Sequence, residues 1–279
     1  MSLWYDLCEL IPLELLHYRF MQHALLAILI MAPLFGLMST MIVTGKMSFF
    51  SDALGHSAFT GIAIGCIFGL AAPTWAAIIF SVTFSLLFSY VRSKSNHTAD
   101  TLIGVFSSTA VALGIFIATL GGNSFTKYNK YLIGDILSVT PVEIGLLALV
   151  LAVVIIFWTL MSNRLALSSV YPQLASSRGV SNGLMQTLFT TLVAVVVTLS
   201  ISWVGLLILN SLLVLPGASA RNVAKNLRQY HLYSVIFALL ASIIGLCLSY
   251  YLGSSAGAAI CLVLAVIFAI SFLFRKVKG

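Results

Sequence analysis

Long, uninterrupted runs of apolar residues are the feature that most restricts what this chain can fold into. A run of about 20 apolar residues can cross the hydrocarbon core of a bilayer as a single helix. Such runs lie near residues 20–43, 52–71, 73–91, 101–120, 141–162, 184–201, 203–220, 232–252 and 256–274. They predict an all-α, polytopic transmembrane helix bundle of eight or nine spans, with short joins at Ala72-Pro73, at Ser202 and at 253–255. The run at 203–220 ends in Leu215-Pro216-Gly217, which predicts a bent or broken helix there.

The composition also indicates a membrane protein. Of the 279 residues, 61% are hydrophobic and 8% are charged, whereas a soluble domain carries about 25% charged residues. The net charge of +7 could suit a nucleic-acid partner, but the distribution of the basic residues argues against one. We therefore expect a lipid bilayer around the chain and no nucleic-acid partner.

The basic residues predict how the spans are oriented. If the spans alternate and the C-terminus is inside, 11 of the 14 basic residues fall on the inner side and 3 on the outer side. Such an excess of Lys and Arg is typical of cytoplasmic connections. We expect the N-terminus outside and the C-terminus in the cytoplasm. Residues 1–19 carry Asp6, Glu9 and Glu14 rather than the basic start of a signal peptide, so they predict a retained amphipathic lead-in before one transmembrane domain, residues 20–279.

Asp52 and His56 are distinctive among the ionisable residues because they lie together at the beginning of a predicted span. Four positions apart on a helix, their side chains leave the same face. Divalent transition metals accept both a carboxylate and an imidazole as ligands, and ionisable groups in a span usually face a cavity or a pathway. The alternative is structural, with Asp52 capping the helix and His56 bonded to a neighbouring carbonyl. The spacing alone favours neither.

Glycines recur every four residues along the same predicted helix, at Gly61, Gly65 and Gly69. A row of small residues lets transmembrane helices approach closely. At about 100° per residue, Gly61 lies about 180° around the helix from Asp52. The pattern predicts a packing face and an opposite face with two metal ligands, as a pore-lining helix needs. Two copies related by a two-fold axis would offer four ligands.

Three other acidic residues lie near predicted spans. Asp100 precedes a span and is expected to cap its N-terminus. Asp135 lies in a short apolar piece that could re-enter the membrane, and Glu143 lies at the start of the following span. These two residues either attract cations at an outer mouth or cap helices, and the sequence leaves both roles open.

The longest inner connection, residues 163–183, mixes apolar and polar residues. A passive connector would be shorter and more polar, so we expect a short helix here along the cytoplasmic face. Gly179 and Gly183 would end that helix and let the chain turn back into the membrane.

Four motifs connect the chain to a known family. KMSFFSDALGHSAFTGIAIG at 46–65 resembles the corresponding stretch of the permease subunits of bacterial zinc/manganese/iron ABC importers. Three further stretches resemble this family in the same order and spacing: DTLIGVFSSTAVALG at 100–114, YLIGDILSVTP at 131–141 and VGLLILNSLLVLPGASAR at 204–221. The resemblance extends over nearly the whole chain from Phe20 onward. It implies a multi-pass permease of the bacterial cytoplasmic (inner) membrane.

The resemblance also implies partners and residue roles. A homodimer of permeases would work with two cytoplasmic ATP-binding subunits and an extracytoplasmic metal-binding protein. The family's metal-contacting pair falls on Asp52 and His56, and its ATPase-docking loop falls on 171–180. The docking residues that follow are Tyr171, Gln173, Leu174, Arg178 and Gly179. Relatives often carry an acidic residue near the start of this loop, and here that region is uncharged.

We expect a transport subunit rather than an enzyme. The sequence has no Gly-x-x-x-x-Gly-Lys-Ser/Thr phosphate loop, so ATP hydrolysis would belong to a partner. No permanently bound cofactor is expected, and the transported ion would be zinc, manganese or iron, with zinc slightly favoured by the resemblance. Two alternatives stay open: a metal-coupled secondary transporter acting alone, which would usually show buried charges in several spans, and an ABC permease for a metal chelate or vitamin, in which Asp52 and His56 are structural.

Overall fold

The computed structural model of the chain describes residues 2–9, 14–69, 73–120 and 136–276. Every regular element in these residues is helical, so the all-α class is confirmed. The α-helices are α1 (Ser2–Glu9), α2 (Arg19–Thr44), α3 (Phe50–Ile67), α4 (Pro73–Lys94), α5 (Ala99–Leu120), α6 (Pro141–Val170), α7 (Pro172–Ser177), α8 (Asn182–Val204), α9 (Leu206–Val223), α10 (Leu227–Leu252) and α11 (Ala256–Lys276). Short 3-10 helices lie at Glu14–His17 and Ile136–Ser138.

Eight helices in the described part of the chain are long and apolar enough to cross a membrane: α2, α4, α5, α6, α8, α9, α10 and α11. The chain is a multi-pass membrane protein. The ninth predicted span corresponds to α3, whose hydropathy is lowered by Asp52 and His56. Of the 18 residues of α3, 13 are buried, so this helix is enclosed largely by protein.

The chain divides into two compact units. Unit 1 contains Met1–Thr40, Asp135–Ile156 and Trp203–Gly279, and unit 2 contains Met41–Gly134 and Phe157–Ser202. The boundaries fall inside α2, α6 and α8, so each of these helices contributes its two ends to different units. The candidate site described below is built from unit 2.

In unit 1, the lead-in helix α1 packs on the beginning of α2. Trp4 Nε1 donates to the carbonyl of Gln22 at 3.0 Å, and the Tyr5 hydroxyl lies 2.7 Å from His23 Nε2. The Arg19 guanidinium lies 4.9 Å from the centre of the Tyr5 ring, a cation–π geometry. These contacts join the lead-in to the first span.

Pro216 lies inside α9, which is continuous from Leu206 to Val223, so the helix is not broken there. Proline has no N–H and removes one helical hydrogen bond. The amide of Gly217 donates to Ser39 Oγ at 2.8 Å, and Ser39 Oγ donates to the Val214 carbonyl at 3.3 Å. A side chain of α2 therefore satisfies the backbone beside the proline, as a proline inside a membrane helix requires.

Of the three short joins predicted from the sequence, the one at Ala72-Pro73 lies partly outside the described residues, and the other two differ in outcome. The join between α8 and α9 lies at Gly205, which has a φ of 81°, and not at Ser202, which is inside α8. Only glycine adopts such a φ readily. The join at 253–255 is confirmed, because α10 ends at Leu252 and Gly253 is left-handed with a φ of 62°.

Glu143 caps the beginning of α6. The Thr140 N–H and hydroxyl both donate to Glu143 Oε2, at 2.7 and 2.8 Å, and the Glu143 N–H donates to Thr140 Oγ1 at 3.4 Å. This reciprocal arrangement is a capping box. Capping is therefore the role that Glu143 has in this structure.

Asp100 lies in the first turn of α5 and not at its N-cap. Thr98 supplies the capping oxygen instead, because its Oγ1 accepts from the Thr101 N–H at 3.4 Å. The carboxylate of Asp100 still lies where the helix dipole favours a negative charge. Asp135, the third of these acidic residues, lies outside the described residues.

Candidate functional site

Helix α3 lies against α4 at its small residues. A Cβ on Gly61 would lie 2.5 Å from the Cα of Ala77, and a Cβ on Gly65 would lie 3.0 Å from the Cβ of Ala76. The two backbones therefore approach more closely than any larger side chain allows. Further along the same contact, the Ser57 hydroxyl of α3 lies 3.0 Å from a serine hydroxyl of α4.

Gly69 is not part of this contact, and its assignment to the packing face is wrong. Helix α3 ends at Ile67, and a Cβ on Gly69 would meet nothing within 4 Å. Gly69 has a φ of 65°, and its N–H donates to the Cys66 carbonyl at 3.1 Å. It is a turn residue that closes the helix, a position where glycine is preferred.

Replacing Gly65 with leucine should reduce the yield of folded protein, because the new side chain would push α3 away from α4. Overpacking of this kind costs about 1–3 kcal/mol. The measurement is the monodisperse fraction and the thermal midpoint of the purified protein in detergent. Gly104→Leu is the matched control, since a Cβ on Gly104 of α5 meets nothing within 4 Å. Equal yields for the two variants would show that the α3–α4 contact does not support folding.

Helix α5 holds α3 from another side. Thr60 Oγ1 donates to the Ala110 carbonyl at 2.7 Å. A Cβ on Gly114 would lie 2.7 Å from Thr60 Oγ1 and 2.8 Å from Phe59 Cδ1. Sequence reasoning missed Gly114, although Ala110, Gly114 and Ala118 form a row of small residues at intervals of four along α5.

Asp52 and His56 lie on the open side of this enclosed helix. His56 Nε2 is 3.5 Å from Asp52 Oδ2, and the His56 side chain is 28% exposed and the Asp52 side chain 41% exposed. Their immediate neighbours on α3, Ser51, Ala53, Gly55 and Ser57, are buried. The two groups that could bind a metal therefore point together out of a helix whose other faces are packed.

The first turn of α3 shows whether Asp52 caps the helix, as the structural alternative for this pair supposes. Phe49 occupies the N-cap and its side chain makes no capping bond, so Asp52 is the third helical residue and not the cap. A carboxylate in the first turn is favoured by the helix dipole.

The pair can supply one imidazole nitrogen and one or two carboxylate oxygens to an ion. Within the described residues, no group of three or more His, Cys, Asp and Glu side chains is placed to hold a metal. Zinc sites usually contain four ligands, and octahedral metal sites contain six. The two side chains could therefore supply at most half of a tetrahedral ligand set.

The turn that precedes α3 is tightly bonded. The Lys46 N–H donates to the Val43 carbonyl at 3.2 Å, and the Met47 N–H donates to the Ile42 carbonyl at 3.0 Å. These are the two bonds of a Schellman motif, with Lys46 at the left-handed position and a φ of 53°. A non-glycine residue there costs about 1–2 kcal/mol. Sequence reasoning did not anticipate this turn, because glycine usually occupies that position.

The predicted connection at 163–183 is shorter than expected, since α6 continues to Val170. The expected short helix is present as α7, with Pro172 at its first position, a placement that suits proline because its N–H is missing. Tyr171 and Leu174 are 63% and 45% exposed, whereas Ala175 is fully buried. Gln173 and Arg178 are also exposed.

The end of α7 is another Schellman motif. The Gly179 N–H donates to the Ser176 carbonyl at 3.0 Å, the Val180 N–H donates to the Ala175 carbonyl at 3.0 Å, and Gly179 has a φ of 73°. Gly179 therefore ends α7. Gly183 does not, because it lies inside α8, which begins at Asn182.

The chain matches a family model, known sequences and a solved structure over most of its length. A model of the ABC 3 transport family matches residues 17–275. The chain is 31% identical over 252 residues to the high-affinity zinc uptake system membrane protein ZnuB of Haemophilus influenzae, covering 89% of this chain and 93% of that protein. It is 31% identical over 273 residues to the manganese import system permease protein ScaB of Streptococcus gordonii, covering 94% and 96%. The solved structure of PsaBC from Streptococcus pneumoniae in complex with Fab superposes with a TM-score of 0.80 and 26% identity, covering 100% of this chain and 99% of that one.

Proposed function

Because the chain belongs to the ABC 3 transport family, we propose that it is the membrane-spanning permease of an ATP-driven importer of a divalent transition metal ion. The names of its relatives specify zinc uptake and manganese import. The observation that carries the proposal is the Asp52–His56 pair, a carboxylate and an imidazole 3.5 Å apart on the open side of an otherwise enclosed helix. The chain is a transport subunit and not an enzyme, and ATP hydrolysis belongs to a separate subunit.

The ligand set becomes complete if two permeases associate around a two-fold axis. Each copy then contributes Asp52 and His56, and the four side chains form a two-carboxylate, two-imidazole site on the axis. The partial exposure of both side chains supports a site that opens to a pathway. A transport site must also release its ion, so a set of ligands on two separate chains suits transient binding.

The surface of α7 is proposed to dock the ATP-hydrolysing subunit. It presents the exposed apolar side chains of Tyr171 and Leu174 at a connection between two spans, with Arg178 beside them. Exposed apolar groups outside the membrane commonly mark a protein partner. The excess of basic residues on the same side of the spans supports a cytoplasmic position for α7 in the inner membrane. An extracytoplasmic metal-binding protein would deliver the ion to the opposite side.

Zinc is proposed as the first metal to test. Two imidazoles and two carboxylates match the tetrahedral nitrogen and oxygen set that zinc accepts, whereas manganese is better matched by sites richer in oxygen. The relatives do not decide the matter, since a zinc system and a manganese system are equally similar to the chain.

The metal content of cells tests the proposal. A strain that lacks the chain, grown with metal kept scarce, should contain less zinc or less manganese than its parent, and a plasmid copy of the chain should restore that metal. Elemental analysis of washed cells measures all candidate ions at once. Unchanged zinc, manganese and iron, together with lost uptake of a metal chelate or vitamin, would contradict the proposal and favour a chelate permease.

A further inference from the structure

We propose that Arg92, near the end of α4, is a positioning residue that connects movement of α7 to the beginning of α3, where Asp52 and His56 lie. The inference rests on the proposed function, because it concerns how ATP hydrolysis in a partner subunit reaches the metal-binding pair. Each step lies within unit 2 and depends on a named contact.

The first step joins α7 to α8. Asn182, the first residue of α8, donates from Nδ2 to the Pro172 carbonyl at 2.9 Å and to Ser176 Oγ at 3.1 Å. Pro172 and Ser176 are on the first and last turns of α7. One side chain therefore spans the short helix, so a force applied to α7 reaches the start of α8.

The second step joins α8 to Arg92. Gln186 lies one helical turn after Asn182, and its amide oxygen faces the Arg92 guanidinium, which has only donors. In that orientation Gln186 Oε1 accepts from Nε at 2.8 Å and from Nη2 at 3.2 Å, and it also contacts Nη1. The guanidinium therefore contacts α8 through Gln186.

The third step joins Arg92 to the turn before α3. Arg92 Nη2 also donates to the Gly45 carbonyl, in a long contact of 3.5 Å. Gly45 is part of the Schellman turn at the end of α2, and the Phe50 N–H donates to the Met47 carbonyl at 2.9 Å. Because this turn is closed by backbone bonds, a displacement of Gly45 carries the first turn of α3, including Asp52, with it.

The surroundings of Arg92 suit such a link. The guanidinium lines a cavity of about 410 Å³ in unit 2, whose walls include Gly45, Lys46 and Gln186. Asp100 at the start of α5 attracts the guanidinium electrostatically.

Nearby contacts keep α4 from moving independently of its neighbours. The Phe88 ring, one turn before Arg92, lies 4.8 Å from the Phe50 ring of α3, and the Ser89 hydroxyl lies 2.8 Å from Thr190 Oγ1 of α8. Arginine is needed at the link because its planar fork donates in several fixed directions, while lysine is a single point charge.

The test uses the complete importer, made of this permease, its ATP-hydrolysing subunit and its metal-binding protein, in proteoliposomes. The readout is the number of metal ions imported per ATP hydrolysed, together with the KM for ATP. Arg92→Ala should lower this ratio about tenfold, within the range seen for residues that carry coupling. Its KM for ATP and the co-purification of the ATPase should not change. Arg92→Lys should restore part of the ratio.

The controls separate coupling from structure. Lys94→Ala removes an exposed positive charge from the same turn of α4 and should leave the ratio unchanged. Gln186→Leu should lower the ratio as Arg92→Ala does, and the double variant should be no worse than either single variant, because the two residues act as one link.

Each outcome of these measurements either supports or overturns the proposed role of Arg92. A ratio for Arg92→Ala equal to that of Lys94→Ala overturns the inference, as does simple additivity with Gln186→Leu. If Arg92→Ala fails to assemble, Gln186→Leu decides by the same ratio: a fall of about tenfold supports the link and an unchanged ratio overturns it. A wild-type complex that hydrolyses ATP and imports no metal contradicts the proposed function itself, a result distinct from a loss confined to the variants.

Discussion

Asp52→Ala and His56→Ala should each abolish metal uptake while the permease still folds and assembles with its ATPase. In the proposed dimer each copy would contribute two ligands, so one substitution would remove two of the four ligands. Loss of a residue that only supports a ligand already costs about 10- to 100-fold in metal affinity, and loss of the ligands themselves should cost at least as much. Both side chains are partly exposed, so their removal should cost little stability.

The measurement is uptake of radioactive zinc and manganese by cells that carry each variant, with the amount of permease in the membrane measured in parallel. His97→Ala is the control, because His97 is an exposed histidine in the connection between α4 and α5. Uptake at the wild-type rate in both Asp52→Ala and His56→Ala would rule out a ligand role for the pair.

Leu174→Asp should separate the permease from its ATPase. The side chain is 45% exposed on α7, and in the proposed complex it enters an apolar groove of the partner. Burying a leucine contributes about 1.5–3 kcal/mol, so its loss alone should weaken association by about 10- to 100-fold. The aspartate adds a charge in an apolar contact and should weaken association further. Co-purification of the ATPase and metal-stimulated ATP hydrolysis measure the effect.

Two controls define what the Leu174→Asp result means. Leu174→Met keeps an apolar side chain of similar volume and should couple normally. Asn96→Asp places the same charge in another exposed connection and should retain the ATPase. If Leu174→Asp keeps its ATPase and couples hydrolysis to uptake, α7 is not the principal contact, and the segment at 221–231 becomes the next candidate.

The sequence was sufficient for features that depend on one helix. Apolar runs about 20 residues long identified the spans, because the bilayer sets their length. The spacing of Asp52 and His56 placed their side chains on one face, and their atoms are 3.5 Å apart in the structure. The short helix α7 was also predictable, since its apolar-polar mix did not suit a passive connection.

Features at helix ends were less predictable. The row of glycines at intervals of four continued to Gly69, but the helix ends at Ile67, and the period of a pattern does not reveal its end. The join between α8 and α9 was predicted at Ser202, three residues before its position at Gly205. Both residues are compatible with a helix end. Asp100 was expected at an N-cap that Thr98 fills, since either residue type caps helices.

Contacts between distant segments could not be predicted. Arg92 and Gln186 are 94 positions apart, and nothing in their local sequences shows that α4 and α8 meet. The same holds for Ser39, whose hydroxyl satisfies the backbone beside Pro216 from a position far away in the chain. Such pairs depend on the packing of helices, which a single sequence does not reveal.

ATP-dependent accumulation of metal in proteoliposomes tests the central claim most directly. The permease is reconstituted with its ATPase and its metal-binding protein, and the metal inside the vesicles is counted with and without ATP. The account predicts that zinc or manganese accumulates only when ATP is hydrolysed, and that Asp52→Ala prevents accumulation in an otherwise intact complex. Metal that accumulates without ATP, or equally well with Asp52→Ala, would contradict it.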